Sequence, residues 1–198
     1  MIRWAVLASV MLVLTGCAET QIDEAPESLG EFKLRVNYAF ADKAVQGPLS
    51  RDANPAEWTA AIEKAVDQRL ARYQGTQEYD IGISLEGFML APPGVPILMN
   101  PRSTAIVRVN LYDVERQEFL AKAHQMQVFE DTSGESALVG SGHARTREEQ
   151  LAGLALNVAD KVEEWMAEQH SVEGWFDLRS DALDGPEVEL SEGIPDAG

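Results

Sequence analysis

The chain has 198 residues, 33 acidic and 16 basic side chains, a formal net charge of −17 and 45% apolar residues. That length holds one domain of ordinary size and is short for two. A nucleic-acid partner is not expected, because binding phosphates depends on Lys and Arg.

The negative charge is uneven: residues 18–30 carry four acids and no base, and residues 170–198 carry eight acids and Arg179. At the start, Arg3 precedes the uncharged run Trp4 to Leu14, which is followed by Glu19, Asp23, Glu24 and Glu27. A bilayer span needs about 20 apolar residues, so the run reads as a signal segment over 1–16. Directly behind it stands Cys17, the one cysteine of the chain. A buried, inert thiol is the alternative reading of that cysteine.

Leu14-Thr15-Gly16-Cys17 resembles the lipobox of bacterial lipoproteins. The resemblance implies peptidase recognition at Leu14, Thr15 and Gly16, cleavage before Cys17, and a diacylglycerol and an N-acyl chain on Cys17. No other cofactor is expected. One acyl chain binds a membrane only marginally and two or more anchor it stably, so the lipid makes the membrane a permanent partner. Ala18 is not the aspartate that commonly retains such proteins in the inner membrane. By that rule the protein belongs at the outer membrane, on its periplasmic face.

Residues 17–30 read as the lipidated cysteine and an acidic tether. Residues 170–198 read as an acidic, disordered tail, since neither flank has enough large apolar side chains to offset the entropy of ordering. Between them, 31–169 has the patterning of a globular domain. Phe32, Leu34, Val36, Tyr38 and Phe40 alternate with polar residues and predict a half-buried strand with all five on one side. Asn54, Pro55 and Glu57 predict a capped helix start. Trp58, Ile62, Val66, Leu70 and Tyr73 follow at helical spacing up to Gly75. Tyr79, Ile81, Ile83 and Leu85 predict a second strand, Val107, Val109 and Leu111 a third, and "EFLAKAHQMQVFE" a fourth behind the turn "DVERQ". Thr146 and Glu149 stand at capping-box spacing before a helix that carries Leu151, Leu154, Val158, Val162 and Trp165 on one face.

The predicted order is β-α-β-β-β-α. It implies an α+β two-layer sandwich: a mainly antiparallel four-stranded sheet with two helices on one face, which leaves the other face open. In element order this is similar to small Gram-negative envelope lipoproteins, among them the lipoprotein activators of peptidoglycan synthases. The similarity implies a fold and a setting, and assigns no functional residue.

Side chains for catalysis are sparse. His124, His143 and His170 lack metal-ligand spacing, so no metal site is expected. Ser141 in "VGSGH" does not sit in a GxSxG elbow. His143, with Arg145 and Arg147 at a helix start, reads either as an anion-leaning turn or as a plain loop feeding a capped helix. Glu148-Glu149 and Glu163-Glu164 are helix neighbours that point apart and read as the wet side of that helix. No catalytic residue is assigned, and the chain is not expected to be an enzyme.

Two stretches suggest contact with a partner. In "LAPPGVPILMNPRS", residues 90–103, Val95, Ile97, Leu98 and Met99 form an apolar run that turn chemistry does not require; it either covers the core or is offered outward. Trp175 and Phe176 in "EGWFDL" resemble aromatic anchors of short linear motifs, or dock back on the domain. The resulting expectation is a non-catalytic, lipid-anchored accessory or assembly factor that binds another envelope protein. The alternative is a carrier or sensor for a lipid or small apolar ligand beneath the 90–103 loop.

Overall fold

A computed structural model describes residues 25–92, 102–130 and 145–179. Its elements are β1 (Phe32–Phe40), β2 (Val45–Gln46), α1 (Pro55–Leu70), β3 (Gln77–Met89), β4 (Thr104–Asp113), β5 (Glu118–Phe129) and α2 (Arg147–Glu173). One mixed sheet runs in the order β1-β3-β4-β5, with β2 also on β3.

The sheet is mostly antiparallel, as expected, but the four-stranded reading needs correcting in two respects. First, β1 and β2 both pair parallel with β3, while β3, β4 and β5 are antiparallel. The cause is α1: a helix between two neighbouring strands returns the chain to the end from which it came, so the next strand runs parallel. Second, β2 is a fifth strand of two residues, too short to show periodicity.

The single-sided reading of β1 also fails. Pairing with β3 slips between Leu34 and Val36, so Arg35 is an extra residue that reverses the side-chain alternation. Phe32 and Leu34 face the helices, as do Asn37 and Ala39: Asn37 donates to Asp67 of α1 at 2.6 Å and the Ala39 N–H to Glu63 at 3.2 Å. Val36, Tyr38 and Phe40 therefore turn to the opposite face.

Trp58, Ile62 and Val66 from α1, Leu154, Val158 and Val162 from α2, and the inward residues of β3 and β4 form a single buried cluster. Both helices thus lie over one face of the sheet. Each such side chain contributes roughly 1.5–3 kcal/mol on burial.

Both predicted capping boxes form. At α1 the Asn54 side chain accepts from the Glu57 N–H at 2.9 Å, and the Glu57 carboxylate accepts from the Asn54 N–H at 2.9 Å. Arg147 then grips the same carboxylate through two N–H groups at 2.9 and 2.8 Å, tying the start of α2 to that of α1. These bonds, that of Arg147 first and that of Asn54 second, hold Glu57 down to about 2. A carboxyl depressed on folding stabilises fully above its unfolded value, ordinarily 4.5, and that contribution is lost as pH falls through about 2. Arg147→Met should therefore flatten the acid limb of stability against pH between those values. Urea titrations at several pH values check it; an unchanged slope would show that the pair is not formed in solution.

The packed unit exceeds the expected 31–169 at both ends. Leu29 is buried, α2 continues to Glu173, and Phe176 and Arg179 are buried beyond it. Gly174, at φ 67, lets the chain reverse, and its N–H bonds the His170 carbonyl at 2.9 Å. The segment expected to be a disordered tail from 170 onward is thus helix and packed turn as far as Arg179.

Candidate functional site

The chain enters and leaves the domain at one end. Gly30 adopts φ 48, and a Cβ there would lie 2.4 Å from the Phe176 carbonyl oxygen, so only glycine fits. Beside it the Glu31 N–H donates to that carbonyl at 2.8 Å, and the Tyr73 hydroxyl oxygen lies 3.1 Å from the Glu27 carbonyl oxygen.

The opposite end gathers the loop roots. The Ala91 N–H donates to Ser103 Oγ at 3.1 Å, the Gln150 amide to the Ala91 carbonyl at 3.2 Å, and Arg145 pairs with Glu130 at 3.0 Å. The 13 residues of β3 separate the two ends, a distance of about 40 Å.

The face of the sheet turned away from the helices carries the exposed aromatics. Tyr38 and Phe40 on β1 and Phe119 and Phe129 on β5 are each about half exposed or more, and Val45 on β2 is 70% exposed. A groove of about 430 Å³ runs among Tyr38, Tyr112 and Phe119, floored by Gly82. A Cβ at Gly82 would meet only Asn110, at 3.9 Å, so the missing side chain is what opens the floor.

Register explains the walls. Tyr38 and Asn110 pair with Gly82 from its two sides, and Tyr112 pairs with Asp80. Strands two apart in a sheet are about 10 Å apart, so the flanking side chains leave a slot for one flat apolar body. Asn110 is fixed there, because its Oδ1 accepts the Ala123 N–H at 2.9 Å. Ala123 needs that bond: it sits at φ 51 where β4 and β5 slip register.

Phe119 packs edge-on against Tyr112 at 5.0 Å and carries Lys122 4.8 Å above its ring. On the other side Arg35 pairs with Asp80. The face thus carries aromatic side chains on both of its edge strands, with the Arg35–Asp80 pair beside Tyr38 and the Lys122 ammonium over Phe119.

Leu14, Thr15, Gly16 and Cys17 lie outside the described residues, as do Val95, Ile97, Leu98, Met99, Ser141 and His143. Trp175 and Phe176 are described. Phe176 is fully buried, its ring 5.2 Å from Phe32 and 5.1 Å from Tyr79, so it cannot anchor a partner and is instead part of the core. Trp175 is half-buried, edge-on to Trp165 at 5.4 Å.

His124 stacks on Trp165 and His170 lies beside Phe176. Among the described residues no group of three or more His, Cys, Asp or Glu is placed to hold a metal, and no helix is long and apolar enough to cross a membrane. Glu163 departs from the wet-side reading of its pair. It is fully buried and meets Arg69, Arg72 and Tyr73 across the contact between α1 and α2. Glu164 does face water, paired with Lys161 at 2.7 Å.

No family model and no curated protein matches the chain. Solved structures do. A protein named as a lipoprotein from Caulobacter crescentus CB15 aligns at 14% identity and TM-score 0.41, over 73% of this chain and 93% of that one. A DUF330 protein from Xanthomonas campestris aligns at 15% identity and TM-score 0.40, over 74% and 91%. A hypothetical protein from Chlamydia trachomatis aligns at 11% identity and TM-score 0.40, over 68% and 97%. At these identities and scores no function passes from them to this chain.

Proposed function

We propose that this chain is a non-catalytic lipoprotein, anchored through Cys17 at the periplasmic face of the outer membrane, whose domain binds another envelope protein. The observation that carries the binding role is the set of exposed aromatics, Tyr38, Phe40, Phe119 and Phe129, on the face of the sheet that neither described helix covers. Large aromatics are enriched where proteins meet. The lipobox sequence supports the anchor, and the described chain enters the domain beside Gly30, at one end of it.

Two experiments test the two halves. Cys17→Ser should leave an uncleaved precursor that no longer fractionates with the outer membrane, since no other residue can accept the diacylglycerol; mature mass and unchanged fractionation would refute the anchor. A photoreactive amino acid at Tyr38 or Phe119 should cross-link in cells to one discrete protein species. The same probe at Lys64, exposed on α1, should not. Identical products from both faces, or none from the sheet, would remove the binding role from this surface.

A further inference from the structure

We infer that the trough between β5 and the C-terminal half of α2, on the helix side of the sheet, is a binding site for a neutral saccharide. The trough exists because β5 leans out from under α2: nothing from Glu118 to Gln125 is buried, whereas Met126 and Val128 are. The opening measures about 590 Å³, within the roughly 300–1,000 Å³ of small-ligand sites.

Aromatic planes make its wall. The His124 ring lies parallel to the Trp165 indole, 4.3 Å away at 9°, and Trp175 stands across Trp165 at 86°. The sequence puts Trp175 there through the reversal at Gly174, and what remains exposed of its half-buried indole lines the trough. Polar side chains make the rim: Lys122, Lys161, Glu164, Glu168 and Gln169. The side chains of Glu168 and Gln169 make no hydrogen bond or ion pair to the described residues.

This combination selects the ligand. The Lys122 ammonium lies over the Phe119 ring and Lys161 is paired with Glu164 at 2.7 Å, so the rim offers the Glu168 carboxylate and the Gln169 amide, which oppose an anion and suit a neutral hydrogen-bonding ligand. Five polar side chains around the opening oppose a lipid chain, since a polar group desolvated without a partner costs free energy. A pyranose satisfies both surfaces: its C–H face lies on an indole, and its hydroxyls donate to carboxylate and amide oxygens and accept from amide and ammonium N–H groups. The site lies across the sheet from the aromatic face and is independent of the partner-binding reading.

The test uses the full-length chain in a detergent with no sugar headgroup, titrated with tri-N-acetylchitotriose, maltotriose and cellotriose by tryptophan fluorescence and calorimetry. At least one should bind with a sub-millimolar Kd that is insensitive to added salt, since screening acts on charged ligands. Trp175→Ala should weaken it roughly tenfold or more, about 1.4 kcal/mol. Because that residue is partly packed, the double variant Glu168→Ala with Gln169→Ala provides a second arm at the rim and should weaken binding without altering melting. Tyr38→Ala, on the other face, should leave it unchanged. Absence of binding by all three sugars at concentrations on the order of 10 mM, or binding indifferent to both trough variants, overturns the assignment.

Discussion

Glu163→Ala should destabilise the domain by about 3–5 kcal/mol, the usual cost of removing one partner of a buried ion pair. Glu163 is fully buried, and its carboxylate receives Arg69 from within α1, Arg72 from just beyond its end at 2.8 Å, and the Tyr73 hydroxyl. Burial first, and the bond to Glu163 second, raise the Tyr73 phenol above its ordinary value, so it stays a neutral donor. In the alanine variant Arg69 keeps Asp160 of α2, at 2.9 Å, but the buried carboxylate that Arg69, Arg72 and Tyr73 share is gone. Tyr73→Phe removes one hydrogen bond and should cost only about 1 kcal/mol. Urea denaturation with an unchanged m-value measures both. A loss under about 1 kcal/mol for Glu163→Ala would mean that the cluster is solvated or rearranged in solution.

Glu163 also shows why part of this molecule could not be read from the chain. In sequence it is one of two adjacent acids on an amphipathic helix, and only the approach of α1 turns one of them inward. The elements whose signals are local were legible: Asn54 with Glu57 and Thr146 with Glu149 are capping boxes in the structure, and β3 alternates from Tyr79 to Leu85 as its residues require. What depended on a neighbour was not. The pattern of β1 alternates without a break, yet the slip at Arg35 is set by pairing with β3 and moves Tyr38 and Phe40 to the outer face.

The candidate site divides in the same way. Tyr112, Phe119 and Phe129 stand at positions where β4 and β5 otherwise alternate to polar residues, so their outward direction was visible in principle. The groove itself needs Tyr38 beside Gly82, and no spacing in the sequence announces that. Trp175 and Phe176 stand out as aromatics in an acidic segment. Their destinations differ because Gly174 turns the chain so that Phe176 enters the Phe32 and Tyr79 cluster while Trp175 remains at the edge of a trough.

Truncation should discriminate sharply between two neighbouring end points. Removing 180–198 takes away an acidic stretch with no periodic apolar face and should change stability by no more than about ±0.5 kcal/mol. Removing one residue more takes Arg179, which is 7% exposed and pairs with Asp113, itself fully buried, and with Glu115 at the surface. It also donates to the Tyr79 hydroxyl at 3.1 Å. Asp113 would keep the Arg116 N–H at 3.0 Å but lose its only opposite charge among the described residues, and a buried carboxylate left unpaired costs about 3–5 kcal/mol. Ending the chain at Leu178 also places a new carboxylate near Asp113, so Arg179→Met in the full-length chain isolates the side chain and should lose a comparable amount. Thermal and urea unfolding of the three proteins provide the comparison. If the two truncations agree within about 0.5 kcal/mol and Arg179→Met is neutral, the Arg179 clamp does not hold the end of the chain.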